Sequence, residues 1–181
     1  MSPYTFTKPV LAASCAIALA LAAGVAVAAT QGTLGSTSTG SVNISSIKGA
    51  AVQISALTDF TFPPTATTPA PIEQTACVYS TTGSYTIQAT SAHASGGAFR
   101  LNNAGNYIAY AVGWFNASSG GTAASLASGT TSAAQTGADT GSTSCSGGAD
   151  SRIGITIDAT TFTAAPAGTY TDTLTLLVAP V

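Results

Sequence analysis

Catalysis needs reactive side chains in groups, and this chain of 181 residues supplies few of them. Its single histidine, His93, stands in TSAHASGG, where the small polar context predicts a solvated strand end or loop. Glu73 is the only glutamate, so a glutamate pair of the glycosidase kind cannot be assembled and only aspartates could substitute. No G-x-S-x-G elbow occurs, which removes the commonest hydrolase signature. Asp150 and Asp158 bracket the run RIGITI and could hold calcium together with loop carbonyls. Without a clustered D-x-D run they read as turn-forming aspartates. The expectation is a non-enzyme with no cofactor and no metal.

Other residues with chemical potential have structural readings. Tyr110 and Trp114 could form a sugar-stacking platform, but they alternate with Ile108 and Val112 and are assigned to the core. Asp172 is the oddest charge, since strict alternation places it on the same face as Tyr170 and Leu174; a position at the rim of the sheet is expected, with register setting as the functional alternative. Asn43-Ile44-Ser45 and Asn116-Ala117-Ser118 match the glycosylation pattern, a short and unspecific match.

These residues must be positioned by elements, and the first segment sets their compartment. Lys8 precedes an uncharged run, LAASCAIALALAAGVAVA from Leu11 to Ala28, in which Ala26 and Ala28 form an A-x-A site. Residues 1–28 are therefore expected to be a signal peptide cleaved before Ala29, with no stable membrane anchor. Cys15 would leave with it, and the two remaining cysteines, Cys77 and Cys145, in an exported chain predict one disulfide. Closing so long a loop stabilises a fold by roughly 4 kcal/mol in the chain-entropy model. Past the cleavage site, Lys48, Arg100 and Arg152 face six acids, Asp59, Glu73, Asp139, Asp150, Asp158 and Asp172. Three scattered cations cannot make a phosphate-binding patch, so nucleic acid is not an expected partner.

The rest of the chain has period two wherever a period can be read. Residues 29–41 are a Ser/Thr/Gly leader, flexible or extended, and residues 42–181 are read as one β-sandwich domain. Val42 with Ile44, and Val52 with Ile54, predict two strands. The four prolines between Phe62 and Gln74 predict a loop or a sheet edge. ACVYS and SYTIQATS flank Thr81-Thr82-Gly83 as a predicted hairpin that buries Val78, Tyr85 and Ile87. A second hairpin turns at Asn102 to Asn106 into YIAYAVGWF. Residues 116–149 predict a long mobile Gly/Ser/Thr loop pinned near its end by Cys145. Ile153, Ile155 and Ile157 share one face of the next strand, AAPAG makes a turn, and a closing strand aligns Tyr170, Leu174, Leu176 and Val178. Nothing past residue 28 shows helical spacing over three turns, so the fold class is all-β, an immunoglobulin-like antiparallel sandwich of about seven strands.

The closing AGTYTDTLTLLV, Ala167 to Val178, resembles the G-x-Y-x-D-x-(hydrophobic)-x-(hydrophobic) final strand of spore coat protein U-like subunits, the pilins and tip proteins of archaic chaperone-usher pili. The resemblance implies an incomplete sandwich, held by a periplasmic chaperone, passed to an outer-membrane usher and completed by the amino-terminal strand of the next subunit. It implies that Tyr170, Leu174, Leu176 and Val178 form the edge awaiting that strand, and that the donor residues here would be Leu34, Val42 and Ile44. The chain departs from the family pattern in having its first cysteine past the leader only at Cys77, and in placing Ser36, Ser38 and Gly40 between the donor residues. The function expected is an exported structural or adhesive surface subunit in the periplasm, on the cell surface or in a fibre, partnered by copies of itself or related subunits. The alternative is a self-complete secreted sandwich that binds a ligand, for example a glycan, through the 116–149 loop.

Overall fold

A computed structural model describes residues 29–181, so the expected signal peptide, residues 1–28, lies outside the described residues. The chain divides after Ile47. Within 29–47 the one ordered feature is a loop closed by two hydrogen bonds between Thr30 and Ser41, each 2.9 Å. Val42 and Ile44 were expected in a strand, but none forms there. With mostly small polar residues around them they have little to bury against, and they stay 72% and 92% exposed.

Lys48–Val181 forms an antiparallel sandwich built around alternating strands. In chain order they are β1 (Val52–Ser55), β2 (Ile72–Ser80), β3 (Ser84–Ser91), β4 (Phe99–Asn103), β5 (Asn106–Phe115), β6 (Ala124–Leu126), β7 (Gln135–Thr136), β8 (Ser151–Ile157), the helix α1 (Ala159–Ala164) and β9 (Leu174–Pro180). The larger sheet has the order β1-β2-β8-β5-β4, with β6 also on β5, and the smaller has the order β7-β3-β9. Period-two alternation carries the core as the sequence predicts. Ile108, Tyr110, Val112 and Trp114 of β5 and Ile153, Ile155 and Ile157 of β8 are buried on the inner face of the larger sheet, and Tyr85, Ile87 and Ala89 on that of the smaller. Trp114 donates through Nε1 to the Tyr85 hydroxyl at 2.9 Å, with the two rings edge to face, and Ser151 Oγ lies 3.2 Å from the same hydroxyl. A core polar atom on each sheet is thereby satisfied.

Two expectations are corrected. First, Thr81-Thr82-Gly83 does not close a hairpin. β2 pairs with β1 and β8, whereas β3 pairs with β7 and β9, so the turn carries the chain from one sheet to the other. Both strands face the same core, so inward alternation is satisfied without pairing. Second, residues 116–149 are not a free loop. They contain β6 and β7, and Ser128, Gly129, Ser132, Ala138 and Asp139 donate backbone bonds to Gly97, Ala89, Ile87, Gly83 and Val78. The run thereby covers the side of β3 opposite β9. Arg152, itself buried, grips the Ala117 and Gly120 carbonyls at 3.0 Å each, pairs with Glu73 at 2.9 Å and stacks on Phe115. In this small polar run backbone bonds and one arginine do much of what apolar side chains do elsewhere, with Leu126 and Ala138 as its buried core side chains. Residues 159–164 form a short helix, started by Asp158, whose carboxylate accepts from the Thr161 N–H and hydroxyl at 2.8 Å each. Six residues are too few for a helical period to show.

Cys77 of β2 and Cys145 are joined as expected, tying the larger sheet to the end of the 116–149 run. Asp150 accepts from the Val78 and Asp139 amides, at 3.0 and 2.9 Å, at the opposite end of β8 from Asp158, so the two aspartates act separately on backbone. The β4–β5 hairpin turns on Ala104 and Gly105 at φ 48° and 91°, a left-handed pair of the type I′ kind. Alanine resists that conformation, so replacing Ala104 by Gly should raise stability by about 1 kcal/mol. An increased urea midpoint at unchanged m-value would show it.

Candidate functional site

The last strand is the least completed element of the sandwich. β9 pairs along its whole length with β3, from Leu174↔Ser91 to Pro180↔Tyr85. The ladder is bracketed by Ala92 N–H to the Thr173 carbonyl at 3.0 Å and Val181 N–H to the Ser84 carbonyl at 3.3 Å. Antiparallel pairing alternates, so the backbone groups of 173, 175, 177, 179 and 181 point at β3 and those of Leu174, Leu176, Val178 and Pro180 point away. Among the described residues nothing pairs with that outer side. Leu174, Leu176 and Val178 turn their side chains toward the core yet remain only half-buried, as the sequence alternation predicts. Pro180, at the end of the row, offers a carbonyl and no N–H.

A second open edge lies beside it. Thr81 N–H bonds the Ala51 carbonyl at 2.9 Å, so by the same alternation Val52 and Ile54 of β1 direct their backbone groups away from β2. β1 comes within 8 Å of β9 between Cα atoms, with no hydrogen bond joining them. β1 is short because Ala56 adopts φ 58°, which turns the chain off the sheet. The edge at β4 is bridged at one residue, where Asn102 and Thr171 exchange backbone bonds of 2.9 and 3.1 Å.

That bridge corrects the expected extent of the closing strand. Tyr170 is not in β9; its hydroxyl donates to the Pro166 carbonyl at 2.9 Å, and the strand starts at Leu174. Between Thr171, bonded to β4, and Thr173, bonded beyond the end of β3, the chain passes from one sheet to the other. Asp172 sits at the crossing. It lies at the rim, where the strand enters the sheet, as expected, but its side chain is only 2% exposed. Its carboxylate accepts from the Tyr110 hydroxyl of β5 and lies 3.0 Å from His93 Nδ1, with the Ser91 hydroxyl and the Thr173 N–H as further partners. His93, expected to be merely solvated, is half-buried by this contact, and Arg100 Nε holds its carbonyl at 2.9 Å. The only sequence sign of this cluster was the inward parity of one aspartate.

Burial pushes the Asp172 carboxyl up, but the bonds from Ser91, Tyr110, His93 and Thr173 outweigh it and hold the group below the usual aspartate range. Burial, then the Asp172 carboxylate, pushes the Tyr110 hydroxyl well above its usual value. The chemistry available is that of a fixed ionic anchor. The described residues contain no group of three His, Cys, Asp or Glu side chains placed to hold a metal, and no helix among them is long and apolar enough to cross a membrane.

The sequence matches no protein-family model and no curated protein. Among solved structures the chain is similar to a chain in the crystal structure of the CsuC-CsuE chaperone-tip adhesion subunit pre-assembly complex from archaic chaperone-usher Csu pili of Acinetobacter baumannii. The identity is 19% and the TM-score 0.40, over 71% of this chain. The match spans 39% of the length of that chain.

Replacing Tyr110 by Phe should remove about 1.5–3 kcal/mol, as expected for a buried bond to a charged group. Because the Asp172 pKa is depressed on folding, the carboxylate's contribution is complete above about pH 4, the unfolded value, and is lost as pH falls through the lower folded value. Urea titrations of wild type and Asp172→Asn should therefore differ at pH 7 and converge in acid.

Proposed function

We propose that the chain is an exported, non-enzymatic structural or adhesive surface subunit whose sandwich is completed by a β-strand from another subunit, laid along β9, in a pilus-like fibre. One observation carries this reading. The seven-residue β9 keeps a regular row of outward backbone groups at Leu174, Leu176 and Val178, and the same residues leave their apolar side chains half-covered. A long open edge of this kind is a hazard in a monomer and a binding site in an assembly. An added strand would pair the backbone and complete the burial at once. The donor would be the amino-terminal segment of a second copy or a related subunit. Leu34, Val42 and Ile44, at 105%, 72% and 92% exposure, are the apolar residues it would offer, with Ile47 beyond them at 96%. Before assembly the edge would require cover, which is the task of a periplasmic chaperone, and delivery to an outer-membrane usher would follow. The chain's lack of charge suits surfaces that pack against copies of themselves.

The assembled form should run as an SDS-resistant ladder on unheated gels, and deletion of residues 29–44 should abolish the ladder while the chain still folds with its chaperone. Replacing Val178 by Pro removes an outward N–H and leaves the bonds to β3 intact. That variant should fail to assemble, whereas Val178→Ala, which keeps the N–H, should still do so. A stable wild-type monomer that loses nothing when the leader is removed would reject the reading in favour of a self-complete binding module.

A further inference from the structure

β9 has a problem of register that its apolar row does not solve. A slip by one residue along β3 would turn every leucine outward, which burial forbids. A slip by two keeps parity. It would replace Leu174 by Leu176 and Leu176 by Val178 at the same core positions, one aliphatic side chain for another. Pro180 does not discriminate either, because after a two-residue slip it still faces the open edge. Among the described residues β9 is paired on one side only, and the other backbone tie near it is the Thr171–Asn102 bridge, one residue before Asp172.

Asp172 is the one residue of the inward row that is not interchangeable. It shares parity with Leu174, Leu176 and Val178, is 2% exposed, and meets Tyr110 from the larger sheet and His93 from the turn after β3. The other charged side chain next to the cluster is Arg100 of β4, engaged by the His93 carbonyl. A slip that draws β9 past Tyr110 strands the Tyr110 hydroxyl among apolar groups and leaves the carboxylate without its donors. A slip the other way pushes the charge into the place of Leu174. Either is opposed by the desolvation of an unpaired ion, an effect far larger than the exchange of a leucine for a valine.

We propose that Asp172 is the register pin of β9: its clasp by Tyr110 and His93, rather than the apolar row, determines which residues of the last strand present backbone groups at the open edge. Its consequence for strand capture, that the incoming strand meets Leu174, Leu176 and Val178 in one fixed alignment, rests on the acceptor reading above. The register claim itself does not.

Cross-linking in the full chain tests it without any added strand. Thr90 and Thr175 are exposed partners in a hydrogen-bonded pair, a spacing of about 5.5 Å that a disulfide can span. Thr90→Cys with Thr175→Cys reports the native register, and Thr90→Cys with Leu177→Cys reports the two-residue slip. With Asp172 present, only the 90–175 bridge should form on mild oxidation. With Asp172→Leu, the 90–177 bridge should be gained and the 90–175 yield should fall. An Asp172→Leu chain that folds and keeps the 90–175 bridge alone overturns the proposal. If Asp172→Leu does not fold, Asp172→Asn takes its place under the same criteria. Failure of both to fold also overturns the proposal, because the carboxylate would then carry the fold itself rather than a choice between registers. Strand capture can fail while the cross-link pattern holds, and that result would remove the acceptor reading and leave the pin.

Discussion

A strand inside a sheet has both rows of backbone groups paired; β9 has one. That unmet pairing is the constraint around which the rest of the molecule is arranged. Elsewhere the edges are short or partly covered: β1 is cut off after four residues by the left-handed Ala56, Asn102 of β4 is bonded by Thr171, and the free side of β3 is covered by the 128–139 run. Among the described strands only β9 combines length, an unpaired side and half-covered leucines.

The two sheets are held together by apolar packing and by a few polar ties, each of which joins one sheet to the other. Trp114 and Ser151 meet the Tyr85 hydroxyl in the middle of the core, and Tyr110 meets Asp172 at its end. Such ties add less to stability than the leucines and isoleucines around them. They are directional, however, and an apolar interface is not. In a sandwich whose inward residues are mostly interchangeable aliphatics, direction is what the sequence otherwise lacks. Arg152 does comparable work on the outer face, where the small residues of 116–121 give it no side chain to hold, and it binds their carbonyls instead.

Much of this was legible in the sequence because burial on one face of a strand imposes period two. Ile153, Ile155 and Ile157, the β5 row ending at Trp114, the Asn102–Asn106 turn and the Cys77–Cys145 bridge follow directly from residue types and spacing. Alternation names a face and not a neighbour, so it could not tell that β2 and β3 belong to different sheets across Thr81-Gly83. Nor could it find strands in 116–149, where backbone bonds and one arginine replace the apolar signal, or a six-residue helix that depends on the Asp158 cap. At the candidate site the row of Leu174, Leu176 and Val178 was readable, but the partners of Asp172 were not. They stand at 91, 93 and 110, and only the folded chain brings them to residue 172.

Amide hydrogen exchange along β9 addresses the open edge most directly, because the two sides of one strand serve as each other's control. In the isolated chain the Thr175, Leu177 and Ala179 amides should be protected by β3 while those of Leu174, Leu176 and Val178 exchange much faster, and once a strand is captured as proposed both sets should be protected. Equal protection of the two sets in the isolated chain would contradict the account, since the outer row would then already be paired within the chain.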